Sequence, residues 1–281
     1  MVTVMTAVKG HSAVRAMKKP IKLSQGTVWE NLELFPTPPW ATRALFDIAL
    51  PRADAELPTF AWDPCAGLGH MASPLSEYAT VHASDVHIYE LAQLPAEHDP
   101  REPEFRGAPL TTTSFGIDRV DFFDDEAVWP CRGGGWIIGN PPFVPAARML
   151  AKALALDGVE GVALLLRLQW LTTEERWGEI YSKMPPSVVA PFVERVPMCL
   201  GGYDPDGSTA TDYAWFIWSE PKRCKLLVRA DPSFPLQHIP PCRARLTKRE
   251  DRALALRCVP GFVPPSVLRK QSPRQEALAL A

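Results

Sequence analysis

The sequence predicts an α/β fold built on a doubly wound, mostly parallel sheet with helices on both faces. Three observations lead there. Short apolar runs alternate with helix-like segments between residues 34 and 220. One run, GVALLLRL (161–168), is apolar almost throughout, as in a strand buried on both faces. A glycine turn, DPCAGLGH (63–70), follows an apolar run where a doubly wound sheet brings its first β–α turn up to a ligand.

Taken in order, LFPTPPWATRALFDIAL (34–50) is an extended entry followed by a helix. Thr37 is its expected cap, Pro38 and Pro39 suit its first turn, and Ala41, Leu45, Ile48 and Ala49 share an apolar face. A strand, the glycine turn and a helix follow over 59–78, and TVHASDVHIYE (80–90) is a second strand ending at Asp85. The 91–116 stretch is polar, contains proline and is expected to be a loop; RVDFFDD (119–125) begins near the end of another short element. GWIIGN (135–140) is a strand, VPAARMLAKALAL (144–156) a helix, and TTEERWGEIYSKM (172–184) a charged helix capped by Thr172 or Thr173. The aromatic and β-branched DYAWFIWSE (212–220) is the expected last strand. Beyond Lys222 the chain is Pro/Arg-rich, with weak helical pattern near 247–258.

At 281 residues and 46% hydrophobic, the chain can bury a full core. The longest apolar candidate, GVALLLRLQWL (161–171), is too short for a membrane span and carries Arg167, so no membrane is expected. Without a secretory signal, the six cysteines are expected as reduced thiols in a cytoplasm. Cys224, His238, Cys242 and Cys258 share one region, but their irregular spacing suits scattered small apolar side chains better than zinc, so no metal is expected.

The net charge of −2 hides a segregation. Residues 1–29 hold five basic residues (Lys9, Arg15, Lys18, Lys19, Lys22) and no acid, and 222–274 hold thirteen Lys/Arg against three acids. Between them, 30–221 carry 12 basic and 28 acidic residues. The organisation expected is a basic, flexible arm (1–33), a catalytic body (34–221) and a basic carboxyl-terminal extension (222–281), with the basic ends meeting a polyanion.

The chemistry-bearing residues cluster at strand ends. Gly67 and Gly69 let backbone approach a ligand where a Cβ would collide. Their G-x-G spacing lacks the third glycine of a dinucleotide fingerprint, and an acid at the strand end, Asp63, would repel a pyrophosphate. Asp85, sixteen residues after Gly69, is placed to accept from two ribose hydroxyls. A nucleoside with a cationic tail satisfies all three, and S-adenosylmethionine is one. In GNPPF (139–143), the Asn140 side-chain oxygen and the Pro141 carbonyl can each accept one hydrogen of an exocyclic amine, favouring a pyramidal, more nucleophilic nitrogen. Pro142 stiffens the turn and Phe143 offers a ring on which a base can stack.

The order FPTPPW, DPCAGLGHM, SDVHIYE, DFF, GNPPF resembles the S-adenosylmethionine-dependent amino-methyltransferases, and most closely the phage and prophage adenine-specific DNA methyltransferases. The resemblance spans about 34–219 and implies a class I methyltransferase, Rossmann-like doubly wound mostly parallel sheet. It implies that Phe35, Pro36 and Thr37 flank the methionine end of the cofactor and that Asp63, Cys65, Gly67 and Gly69 line its middle. Asp85 would hold the ribose, Asp121 the cofactor's adenine amine, and Phe122 would pack on that ring. Asn140, Pro141, Pro142 and Phe143 would form the catalytic turn. The implied reaction is direct transfer of a methyl group to N6 of a flipped adenine in DNA, in the cytoplasm of a bacterial or phage-infected cell and at its nucleoid. The stretch after residue 220 is too short for a large separate target-recognition domain, so the resemblance assigns no recognition sequence.

Cytosine N4, RNA guanine N2 or adenine N6, and a protein glutamine are alternative acceptors, since the same two oxygens serve each. A catalytically inactive DNA-binding relative is the non-enzymatic alternative. A cytosine C5 mechanism fits poorly: Pro-Cys occurs at 64–65, 130–131 and 241–242, but the first lies in the glycine turn and the chain contains no Glu-Asn-Val.

Overall fold

Seven strands hydrogen-bond into one sheet in the computed structural model, which describes residues 26–92, 116–219 and 234–269. They are β1 (Phe60–Asp63), β2 (Thr80–Asp85), β3 (Ile117–Arg119), β4 (Gly135–Gly139), β5 (Val159–Arg167), β6 (Val188–Pro191) and β7 (Tyr213–Ser219), in the order β3-β2-β1-β4-β5-β7-β6. β1 to β5 pair in parallel, and β7 runs antiparallel to both β5 and β6. The expected Rossmann-like, doubly wound, mostly parallel sheet is therefore what forms. The strand order reverses between β1 and β4, the place where such sheets open a crevice beyond their carboxyl ends.

The two sides of the sheet follow from strand alternation. Along β4, Trp136 and Ile138 enter one core and Ile137 the other; along β5, Ala163 and Leu165 oppose Val162, Leu164 and Leu166. The first core is covered by α2 (Pro39–Ala44), a π-helical segment (Leu45–Ala49) and α3 (Leu50–Arg52), which run on without a break, and by Leu75 of α4 (Ala72–Leu75). The second is covered by α5 (Ala146–Ala155), which buries Ala146, Met149, Leu150 and Ala153. Gly161 makes room for this packing: a Cβ there would lie 2.3 Å from the buried Trp136 ring. Pro38 rather than Thr37 occupies the cap position of α2 and makes no side-chain cap bond. The charged helix begins as expected, with Thr173 Oγ1 accepting from Arg176 N–H ahead of α6 (Glu174–Arg176).

β6 was not visible in the sequence. It is a four-residue strand ending in Pro191, and it lies at the sheet edge, the place where a sheet tolerates proline. The chain beyond 234 covers that edge: Val189 N–H donates to Pro235 O (3.0 Å) and Ile239 N–H to Pro191 O (2.8 Å). Further on, α7 (Arg243–Leu246) and α8 (Asp251–Leu254) close around Arg43 of α2. Its guanidinium, only 3% exposed, makes a bidentate pair with Asp251 (2.7 and 2.8 Å) and bonds Leu246 O and Glu77. Residues 234–269 are thus part of the folded body, which corrects the expected domain boundary at 222. At the other end, α1 (Val28–Asn31), held by a Thr27–Glu30 capping box, shows that the folded part begins within the expected arm of 1–33.

The five basic residues of the arm, most of the 91–116 loop and Cys224 lie outside the described residues. Among the described residues no group of three His, Cys, Asp or Glu side chains is placed to hold a metal ion. No helix among them is long and apolar enough to cross a membrane.

Removing the guanidinium strands a buried carboxylate, the costly way to break such a pair. Arg43→Ala is expected to lower stability by about 3–5 kcal/mol, measured by denaturant unfolding. Loss of less than about 1 kcal/mol would show that the cluster is not what holds the carboxyl-terminal segment down.

Candidate active site

The carboxyl ends of β1, β2 and β4 face a cavity of about 1290 Å3. Its walls come from five separate stretches: 30–37, 64–71, 85–89, 121–124 and 140–149. Most of the sequence-predicted residues meet there: Phe35, Pro36, Thr37, Cys65, Gly67, Asp85, Asp121, Phe122, Asn140 and Pro142. Asp63, Gly69, Pro141 and Phe143 do not line it.

The glycine turn is built as the spacing requires. Gly67 and Gly69 take φ of 53° and 81°, left-handed values that side chains disfavour. A Cβ on Gly67 would meet Leu34 Cδ1 at 2.7 Å, so the missing side chain is what lets the entry segment and the turn share one wall. Gly67 N–H donates to Asp85 Oδ2 (2.8 Å) and His87 N–H to Asp85 Oδ1 (3.0 Å). Each carboxylate oxygen keeps acceptor capacity after one such bond, so Asp85 can still receive two hydroxyls from the cavity. Burial pushes its carboxyl up, and the two backbone N–H bonds oppose that.

Asp63 differs from its expected role. It is fully buried behind the turn, where Oδ1 accepts from Cys65 N–H (3.2 Å) and Oδ2 has no partner. Burial, with the Asp85 charge adding to it, pushes its carboxyl up to about 8. Asp63 therefore keeps its proton at neutral pH and does not present a charge to a ligand. The charge on the cavity wall comes instead from Glu30, Glu33, Asp85, Asp121 and Asp124, set against the single guanidinium of Arg148. His70 on the same wall is neutral, pushed down to about 3 by burial and by Arg257, with one ring nitrogen at Leu254 O (2.8 Å). Such a wall attracts a cation and repels a pyrophosphate, which fits a sulfonium nucleoside by the donor set alone.

The Asn140 amide is fixed from outside its own strand. Nδ2 donates to Phe35 O at 2.9 Å. A carbonyl cannot donate, so this contact requires the amide nitrogen at that position and leaves Oδ1 as the free acceptor. Phe143 N–H donates to Glu33 Oε2 (2.6 Å), and the Phe143 ring lies 5.5 Å from the Phe35 ring. One face of the Phe143 ring, expected as a stacking surface, is covered by the Arg167 guanidinium, 3.6 Å over its centroid. Phe122, expected to pack on a cofactor ring, is 4% exposed and packs edge-on against Trp62 (5.2 Å). Its half-buried neighbour Phe123 also reaches the cavity, with Arg148 stacked 4.0 Å over it. Asp121 is on the wall and exposed, with Oδ1 accepting from Phe123 N–H (2.9 Å).

Glu33, His70, Phe123, Arg148 and Arg167 were missed by sequence reading. Only Arg167 carried a signal, as the lone charge closing an apolar strand. The others depend on contacts across long separations.

A carboxyl raised from 3.8 to about 8 by folding binds its proton more tightly in the native state than in the unfolded chain. Its contribution is complete below about pH 4 and is lost as pH rises towards 8. Asp63→Asn, which cannot ionise, is expected to flatten the decline in unfolding free energy between pH 5 and 8. Identical slopes in the two proteins would show that Asp63 is ionised at neutral pH.

No family model and no curated protein matches this sequence significantly. Solved structures similar to it include the methyltransferase subunit of a type I restriction-modification system from Streptococcus thermophilus (12% identity, TM-score 0.42), covering 73% of this chain. This chain spans 46% of that protein, less than half its length. A Pyrococcus horikoshii protein proposed as an RNA methyltransferase shares 18% identity (TM-score 0.41; 73% of this chain, 93% of that one). A Listeria monocytogenes protein proposed as a class I S-adenosylmethionine-dependent methyltransferase shares 12% (TM-score 0.41; 81% and 70%). At TM-scores this low, the activity of this chain has to be argued from its own residues.

Proposed function

We propose that this chain is an S-adenosylmethionine-dependent methyltransferase acting on the exocyclic N6 amine of adenine in DNA. The observation that carries the reading is the Asn140 amide: Phe35 O takes its nitrogen, which leaves its oxygen as the uncommitted acceptor, and Asn140 lines the cavity together with Gly67 and Asp85. Bound there, the cofactor supplies an electrophilic methyl group on a sulfonium.

The protein's own contribution is orientation and charge. Asp85 and the backbone at Gly67 hold the nucleoside, and the acidic wall favours the cationic end. Asn140 Oδ1 accepts one hydrogen of the acceptor amine, which reduces delocalisation of its lone pair into the ring and stabilises the positive charge that grows on nitrogen. Pro141 and Pro142 limit how the backbone beside it can move.

An acidic body is a poor surface for DNA, and a flipped base costs a few kcal/mol of lost stacking. Basic contacts to phosphate offset both. Arg245, Lys248, Arg249 and Arg252 are exposed around α7 and α8, with Lys248 paired to Glu77 (2.8 Å), next to a segment that touches the cavity wall through His70. The basic groups of 222–233 and of the amino-terminal arm would add to them.

The test is transfer of labelled methyl from S-adenosylmethionine to unmethylated duplex DNA, followed by digestion to nucleosides and mass measurement. N6-methyladenine is the expected product. Asn140→Ala is expected to lower kcat by about 100-fold or more while cofactor affinity changes only a fewfold. Methylated cytosine, or label entering RNA or protein instead, would replace adenine in DNA as the acceptor. Unchanged turnover in Asn140→Ala would overturn the assignment of this site.

A further inference from the structure

Three contacts join the 33–35 stretch to the 140–143 turn. Phe35 O takes Asn140 Nδ2, the Phe35 ring meets the Phe143 ring, and Glu33 Oε2 takes Phe143 N–H. The first two are neutral. The third brings a carboxylate to the turn that presents Asn140, and that carboxylate also lines the cavity.

Two features set Glu33 apart from an ordinary surface acid. Its backbone φ is 53°, a left-handed value that costs a side-chain-bearing residue and that glycine would adopt without strain. It also has no ion-pair partner within 4 Å among the described residues. Bonding to one backbone N–H leaves both its charge and its second oxygen uncommitted.

The surroundings give that charge a use. Arg167 holds a guanidinium 3.6 Å over the Phe143 ring, so a positive charge sits on the turn that contains Asn140. The proposed reaction needs the opposite environment. As nitrogen's lone pair forms the new N–C bond and the C–S bond breaks, the sulfonium charge passes to the acceptor nitrogen, which afterwards releases a proton to solvent. Positive charge is therefore present in the subsite throughout, and an unopposed guanidinium would disfavour it.

We propose that Glu33 is a positioning residue of the acceptor subsite. It holds Phe143 N–H, and its negative charge offsets Arg167 and favours the cation that develops on the acceptor amine. The inference rests on the methyltransferase reading above and names a group that the sequence motifs do not contain.

E33Q keeps an oxygen acceptor for Phe143 N–H and removes the charge. With purified full-length protein, labelled S-adenosylmethionine and unmethylated duplex DNA, E33Q is expected to lose about tenfold or more in kcat, with both KM values within about threefold. E33D keeps the charge on a shorter arm and is expected to retain more kcat than E33Q. A kcat within twofold of wild type for E33Q, or E33D falling below E33Q, would reduce Glu33 to a hydrogen-bonding role and overturn the proposal. A raised cofactor KM with unchanged kcat would also overturn it, by moving Glu33 to the cofactor's own site. Asn140→Ala measured alongside separates the two levels: its full activity would remove the methyltransferase site itself, whatever E33Q does.

Discussion

One hydrogen bond, Asn140 Nδ2 to Phe35 O, organises the candidate active site. It spans 105 residues of sequence and joins the tip of β4 to the entry segment ahead of α2. An amide side chain at a strand tip is ambivalent, because donor and acceptor ends differ little in shape. Committing the nitrogen to a backbone carbonyl removes the ambivalence and leaves the oxygen as the uncommitted acceptor of a residue that lines the cavity. The same contact brings Phe35 onto Phe143 and Glu33 within reach of the Phe143 N–H, so the turn is held at three points from one direction.

That bond holds only because its two ends are themselves fixed. β4 is buried along its whole length, with Trp136 and Ile138 in one core and Ile137 in the other. A slip of one residue would exchange those sides. The entry segment is held by Leu34, which packs with Leu68 of the glycine turn and with Val259 of the carboxyl-terminal segment, and whose carbonyl accepts from Gly201 N–H. The cavity consequently depends on segments far apart among the described residues. The carboxyl-terminal segment, which composition alone suggests is an extension, supports it through Leu254 O at His70 and through the Arg43–Asp251 pair.

Much of the fold was legible because it depends on local signals. Strand alternation and the apolar run at 161–168 show directly in the sequence, and so does the glycine turn, where a Cβ on Gly67 would collide with Leu34. The Asn-Pro-Pro-Phe turn was legible for the same reason. What could not be read were features set by partners distant in sequence. β6 carries a proline and is acceptable only at a covered edge. The depth of Asp63, and hence its neutral state, is fixed by the packing around the turn and not by the turn's own residues. Phe143 read as an open platform because nothing nearby in sequence announces that the end of β5 delivers Arg167 onto its ring.

The most direct test of the central claim is a crystal structure with S-adenosylhomocysteine bound. The account predicts the ribose on Asp85, the thioether sulfur directed towards the 140–143 turn, and the Asn140–Phe35 bond intact with Oδ1 facing the space beyond the sulfur. Ligand density elsewhere on the molecule, or an Asn140 amide released from Phe35 with its oxygen turned away, would contradict it.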